Sequence, residues 1–270
     1  MNETLKRSLS GAIYIILLLA SILYSTESFF ILFGIFLLIC VFEFCSLVHI
    51  PKIILLLLAA GTYFIHYYIP FSRITDVILL AVTLSISIKA IFFLFDDSQT
   101  KIDTISKYIY LLGYIILPII IITKIPFGIK GYNPKIIIGI FILIWTNDTF
   151  AYIVGKSIGK RKLFEKISPK KTIEGFIGGV FFAVIASFFI SKYYIEGQEL
   201  AQKIWIGFAL IVGIFGTVGD LIESKFKRIA NVKDSGKIMP GHGGILDRLD
   251  SVIFVAPFVF LFYQILYYVS

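Results

Sequence analysis

One stretch gathers most of the residues with chemical potential. Ser224–Asp250, S-K-F-K-R-I-A-N-V-K-D-S-G-K-I-M-P-G-H-G-G-I-L-D-R-L-D, holds six of the 25 Lys and Arg, three Asp, four Gly and one of the three His. Just before it, Asp220, Ser224 and Lys227 stand at i, i+4 and i+7, so a helix would carry them on one face. Asp247 and Asp250, at i and i+3, share another. Carboxylates at the edges of two successive helices face each other across a small gap. Hard cations such as Mg²⁺ seek oxygen ligands of this kind and share them with substrate phosphates. A more ordinary reading pairs Glu223 with Lys227 at i, i+4, lets Asp250 neutralise Arg248, and uses the acids to stabilise helix starts.

The G-H-G-G turn, Gly241–Gly244, permits close backbone approach and presents N–H groups to anions. His242 is a candidate for proton transfer or for a hydrogen bond to phosphate. Lys225, Lys227, Arg228, Lys233, Lys237 and Arg248 make an anion-binding surface, although a solvated or lipid-facing rim accounts for such a run equally. A second constellation, W-T-N-D-T-F-A-Y (Trp145–Tyr152), places Asn147 and Asp148 in an otherwise apolar run, where they suit either an inter-helix hydrogen bond or a ligand. A third, S-P-K-K-T-I-E-G (Ser168–Gly175), sets Lys170 and Lys171 beside a helix start that Ser168 or Thr172 would cap, a place suited to phosphate. Gly155-Lys156-Ser157 imitates the end of a P-loop, but Phe150 stands where the first glycine is required. Glu43, His66 and Lys89 are isolated polar residues in apolar runs, suited to pairing with each other or to reaching the interface.

The elements that must hold these residues are membrane helices. The 270 residues are 58% hydrophobic and only 16% charged, with mean hydropathy +0.93; a soluble domain has about a quarter of its residues charged. A spanning helix needs roughly 20 apolar residues, and nine runs qualify: Leu9–Tyr24, Phe29–Val48, Ile53–Ile69, Thr75–Phe95, Ile105–Ile125, Ile136–Val154, Ile173–Ile195, Ile204–Ser224 and Ser251–Val269. The opening M-N-E-T-L-K-R and its apolar run resemble a signal peptide but lack a small-x-small cleavage site, so a retained first span is expected. Only S-T-E-S separates the first two runs, which predicts a tight hairpin. The predicted fold is an all-α polytopic bundle with a cytoplasmic N-terminus. Spans one to five form an N-terminal region (1–130). Spans six to nine form a catalytic region (131–270) with cytoplasmic loops 155–172 and 225–250. In this arrangement 18 of the Lys and Arg fall on the cytoplasmic side and six outside, with Lys89 inside a span, as the positive-inside rule requires. Cys40 and Cys45, five apart in an apolar run, read as buried thiols. The net charge of +8 fits anionic headgroups rather than nucleic acid.

The pattern S-x-F-K-R-x4-K-D-x-G-x2-M-P-x-H-G-G-I-x-D-R-L-D, from Ser224 to Asp250, resembles the signature of the phosphatidate cytidylyltransferase family, the CDP-diacylglycerol synthases. Met239 stands where that family usually has a large aliphatic residue or Phe. The S-P-K-K-T-I-E-G segment and the Asn147–Asp148 pair resemble family features as well. The resemblance implies that CTP and phosphatidic acid give CDP-diacylglycerol and pyrophosphate with Mg²⁺, at the cytoplasmic side of the cell inner membrane, in a homodimer. Its implied roles make Asp220 and Asp247 metal ligands, with Asp250 and Asp148 in second place; the carboxylate count leaves one or two cations open. Lys170, Lys171, Lys227, Arg228, Lys233 and Arg248 hold phosphates, and the turn with His242, Gly243 and Gly244 closes over the triphosphate. Asp220, Asp247, Lys227 and His242 are thus the expected catalytic set. Two other readings stand beside this one: a CDP-archaeol synthase acting on an ether-lipid phosphate, and an ion-coupled transporter. The transporter reading suits carboxylates near the midplane of repeated halves, whereas here they gather near one face and no repeat is visible.

Overall fold

The structure, a computed structural model, describes residues 3–69, 72–96, 101–128, 131–195 and 199–269. Helix follows helix: α1 (Glu3–Tyr24), α2 (Thr26–Val48), α3 (Ile53–Tyr68), α4 (Arg73–Phe95), α5 (Thr104–Tyr110), α6 (Leu117–Lys124), α7 (Pro134–Ile158), α8 (Ile173–Phe189), α9 (Glu199–Ile229) and α10 (Leu246–Val269). A π-helical stretch, Leu111–Ile116, joins α5 and α6 into one rod, and another, Ile190–Tyr194, extends α8. Pro118 explains the first of these: proline has no N–H to give an α-helical turn, and the rod widens just ahead of it. Among the described residues, eight helical rods are long and apolar enough to cross a membrane. The ninth expected span is α3, with 16 residues. At 1.5 Å per residue it reaches about 24 Å, less than the ~30 Å hydrocarbon core. Exposed Ile13, Ile16, Leu57, Ile74 and Phe92 are the lipid-facing surface that such a bundle requires.

Local sequence explains several boundaries. One residue, Ser25, separates α1 from α2. Its hydroxyl accepts from Ser28 N and Ser28 Oγ accepts from Ser25 N, each at 3.1 Å, a reciprocal cap that produces the expected tight hairpin. Ser72, Asp103 and Thr172 cap α4, α5 and α8 by a single bond each, the side chain accepting from the N–H three residues on; of the two caps expected for α8, Thr172 is the one used.

Two small antiparallel hairpins supplement the all-α expectation: β1 (Phe127–Gly128) with β2 (Gly131–Tyr132), and β3 (Lys162–Phe164) with β4 (Ser168–Thr172). The second fills the expected loop 155–172, whose first residues continue α7. Likewise Ser224–Ile229 continues α9, and Leu246–Asp250 opens α10, so the loop proper is shorter than expected. Charge does not stop a helix at the membrane edge when its polar face meets water and its apolar face stays packed.

The N-terminal helices pack directly on the C-terminal ones. Phe226 of α9 lies 5.2 Å from Phe44, 5.0 Å from Phe93, 5.3 Å from Tyr110 and 5.5 Å from Tyr114, ring centre to ring centre. Four segments of the first half thus converge on one residue of the charged end of α9. Cys40 and Cys45 are free and buried.

Candidate active site

The carboxylates come together where α7, α9 and α10 meet. Gly219 allows this: a Cβ there would stand 2.6 Å from Phe254 Cβ and 2.9 Å from the Asp250 carbonyl oxygen, so only glycine admits α10 so close to α9. Asp220, Asp250 and, from α7, Asp148 then lie within electrostatic reach of one another. Asp148 is exposed and Asp220 partly so, which leaves this face open. Asn147 donates to Asp148 Oδ1 at 3.2 Å.

Two lysines sit on the acids. The β3–β4 hairpin carries Lys171 to Asp220, Nζ to Oδ2 2.7 Å, while Ser224 Oγ donates to the other oxygen at 3.3 Å. Lys227 bridges Glu223, one turn back on its own helix, and Asp247, at 2.7 Å. The i, i+4 pair from sequence therefore exists, and the same ammonium also serves Asp247. Glu223 is wholly buried, with no hydrogen bond to Oε1.

Asp247 is also the knot of the 230–245 loop. Its Oδ2 accepts from Gly244 N at 2.7 Å and from Ser235 N and Oγ at 2.9 Å each. The Gly244 N–H expected to face a phosphate thus faces a carboxylate. Met239–His242 is a tight turn in which His242 N donates to Met239 O at 2.9 Å. Pro240 and Gly241 occupy its centre, and Gly241 has φ +77°, the left-handed value such a turn requires at that position. His242 Nδ1 lies 2.8 Å from Ser10 Oγ, and the same hydroxyl lies 3.0 Å from Pro240 O, so α1 braces the turn. Burial, followed by the charges of Arg248 and Arg7, lowers the His242 pKa.

The expected phosphate ligands divide. Lys170, Lys233 and Arg248 are exposed at this end. Arg228 instead donates from Nε to Ile167 O at 3.2 Å and fastens the β3–β4 hairpin to α9. Lys225, expected on the anion-binding surface, is buried; its ammonium donates to the carbonyls of Phe93 and of Asp96, the latter at 2.7 Å, and closes the C-terminal end of α4. Glu43, His66 and Lys89 do not pair with one another. Lys89 donates to Ser106 Oγ at 2.8 Å and His66 Nε2 lies 3.0 Å from Thr123 Oγ1, while Glu43 is bound to the loop before α10. Sequence reasoning left Glu43 and Ser235 without a role; the signal for Glu43 was a carboxylate within a span, which is costly unless used.

Among the described residues, no three Asp, Glu, His or Cys side chains converge as a complete metal-ligand set. The donors nevertheless suit Mg²⁺, which takes one or two carboxylates and completes its shell with water and phosphate oxygens. The formal charge agrees: Asp148, Asp220, Glu223, Asp247 and Asp250 outnumber Lys171 and Lys227, and buried Glu223 Oε1 has no donor.

A family model described as the Cytidylyltransferase family matches residues 5–266. The chain belongs to the Cytidylyltransferase family. Similar members include proteins named phosphatidate cytidylyltransferase. The one from Staphylococcus aureus (strain COL) is 52% identical over 117 residues, 43% of this chain and 44% of the relative. The one from Bacillus subtilis (strain 168) is 50% identical over 120 residues, 44% of each. The one from Staphylococcus epidermidis (strain ATCC 35984) is 47% identical over 119 residues, 43% of this chain and 44% of the relative. The chain thus spans less than half the length of the curated relatives it matches.

Proposed function

We propose that the protein is a phosphatidate cytidylyltransferase, converting CTP and phosphatidic acid to CDP-diacylglycerol and pyrophosphate. One observation carries the reading: in a Cytidylyltransferase-family chain, carboxylates from three helices and the ammonium groups of Lys171 and Lys227 form an open site at the end of an apolar bundle. A lipid phosphate rising from the bilayer and a soluble triphosphate meet at such a place.

A phosphate oxygen of the lipid forms a bond to the α-phosphorus of CTP. The bond from that phosphorus to the α,β-bridging oxygen breaks, and its electron pair leaves with pyrophosphate. A phosphomonoester is anionic near neutral pH, so no strong base is needed. The barrier is repulsion between two anions. Lys171 and Lys227, held beside the site by Asp220 and Asp247, lower it with fixed positive charge. Exposed Lys170, Lys233 and Arg248 draw the triphosphate in. Asp220 and Asp247, with Asp148 and Asp250 beside them, would hold Mg²⁺, which neutralises phosphate charge and orients the reacting groups when bound. The lipid displaces pyrophosphate directly, without an enzyme-bound nucleotidyl group. The same reading takes the site to face the cytoplasm from the cell inner membrane, in a homodimer.

The test is formation of CDP-lipid from labelled CTP by purified protein in detergent. Product is expected with phosphatidic acid and Mg²⁺ together, and none without either. Folded protein that forms no product overturns the assignment, and label on the protein after CTP alone overturns direct displacement.

A further inference from the structure

A carboxylate from the first half of the chain grips the loop that presents Asp247. Glu43 of α2 is 2% exposed. Its Oε2 accepts from Leu246 N at 2.9 Å and its Oε1 from Ile245 N at 3.2 Å. These N–H groups stand at the start of α10, where a helix has no acceptors of its own. Helix starts usually find an acceptor next to them in sequence; this one takes it from a helix some 200 residues earlier. Ser235 Oγ lies between two acids, 3.2 Å from Glu43 Oε2 and 2.9 Å from Asp247 Oδ2, and its single proton is available to one of them at a time. The loop is shaped around the grip: a Cβ on Gly244 would stand 2.4 Å from both Glu43 oxygens, and one on Gly236 would stand 2.2 Å from Oε1.

We propose that Glu43 is a positioning residue for the reaction: by fixing the start of α10 and Ser235, it sets where Asp247 and Lys227 stand when CTP arrives. This inference rests on the cytidylyltransferase reading above. Asp247 is held by Ser235 N, Ser235 Oγ and Gly244 N, and Glu43 binds that same Ser235 hydroxyl and the two N–H groups that follow Gly244. Freed from Glu43, the loop loses its fixed point on α2 while α9 keeps its packing. Chemistry at the phosphorus continues, but the nucleotide site must be assembled at each binding event.

The experiment compares wild type with Glu43→Gln, which keeps size and one acceptor oxygen but removes the charge and turns an N–H₂ toward N–H donors. In the CDP-lipid assay the half-saturating CTP concentration should rise about tenfold or more, as the loss of a charge-assisted hydrogen bond predicts. The rate at saturating CTP should stay within about threefold, while the thermal unfolding temperature should fall only by the modest amount expected when two buried N–H groups lose a charged acceptor. Hydrogen exchange at Ile245 and Leu246 should quicken while exchange in the middle of α9 does not. Unchanged CTP dependence, or a loss of activity that only follows lowered thermal stability, overturns the proposal. If Glu43→Gln does not fold, Ser235→Ala is read in the same way, and unchanged CTP dependence there is equally contrary. A wild type that makes no CDP-lipid defeats the functional reading instead; the exchange at Ile245 and Leu246 then still reports whether the grip exists.

Discussion

At the scale of single residues, type alone did not distinguish the cations at this end of the bundle. Lys171 and Lys227 lie on site carboxylates, Arg228 fastens a hairpin, and Lys225 closes α4 through backbone carbonyls. Lys225→Met should therefore lower stability by about 1–3 kcal/mol, the cost of leaving buried acceptors unsatisfied. It should leave the half-saturating CTP concentration unchanged; chemical unfolding in detergent and the CDP-lipid assay check the two halves of that statement. His242 supplies a pH-dependent case. Its folded-state pKa lies below the ordinary value, so the unfolded chain binds the proton more readily. The stability His242 contributes through its neutral form is present above about pH 6.5 and is lost as pH falls below that value. Wild type should lose thermal stability between about pH 7 and 5 more steeply than His242→Asn; parallel curves would contradict the assignment.

Helices bring distant carboxylates to one place, and their contact depends on small details. Gly219 sits one residue before Asp220 and lets α10 touch α9. Gly219→Ala should push the helices apart at a cost of about 1–3 kcal/mol, the usual penalty for overpacking, and should weaken CDP-lipid formation more than an alanine placed on the lipid-facing side of α9. Unfolding and activity measured together separate the two effects. At this scale much was legible beforehand. Apolar length gives the eight rods long enough to cross, though it also counts α3 as a span, and S-T-E-S gives the first hairpin. The end of α9 was legible only in part: the spacing of Asp220, Ser224 and Lys227 suits a helix, but Lys225 and Arg228 look like loop residues until Phe226 is seen among four rings of other segments. The β3–β4 hairpin was equally hidden. Its strands are short and charged, and Arg228 and Glu174 hold it through backbone groups that leave no mark in the sequence.

For the whole molecule, the two basic segments, the G-H-G-G turn and the start of α1 gather at one end. Lys171 meets Asp220, Arg228 meets Ile167, and Ser10 meets His242. Charge counting anticipated that grouping. It did not anticipate that the first half would hold the second, because the contacts of Glu43 with Ile245 and Leu246 and of Lys225 with the end of α4 join residues far apart in sequence. Cys40 and Cys45 are buried, so introduced cysteines should report sidedness cleanly. Lys170→Cys and Lys233→Cys should react with a membrane-impermeant maleimide from the cytoplasmic side, and Ser72→Cys from the other. Labelling of Lys170→Cys and Lys233→Cys from opposite sides would break the arrangement.

The central claim is that the paired carboxylates and lysines where α7, α9 and α10 meet form the site of cytidylyl transfer. Its most direct measurement is the rate of CDP-lipid formation from CTP, phosphatidic acid and Mg²⁺ by wild type, Asp220→Asn and Asp247→Asn, with thermal unfolding recorded for each. The account predicts folded variants whose rates fall by about 10²-fold or more, the scale of losing a fixed charge from a phosphoryl-transfer site. Near-wild-type rates in both folded variants would contradict it.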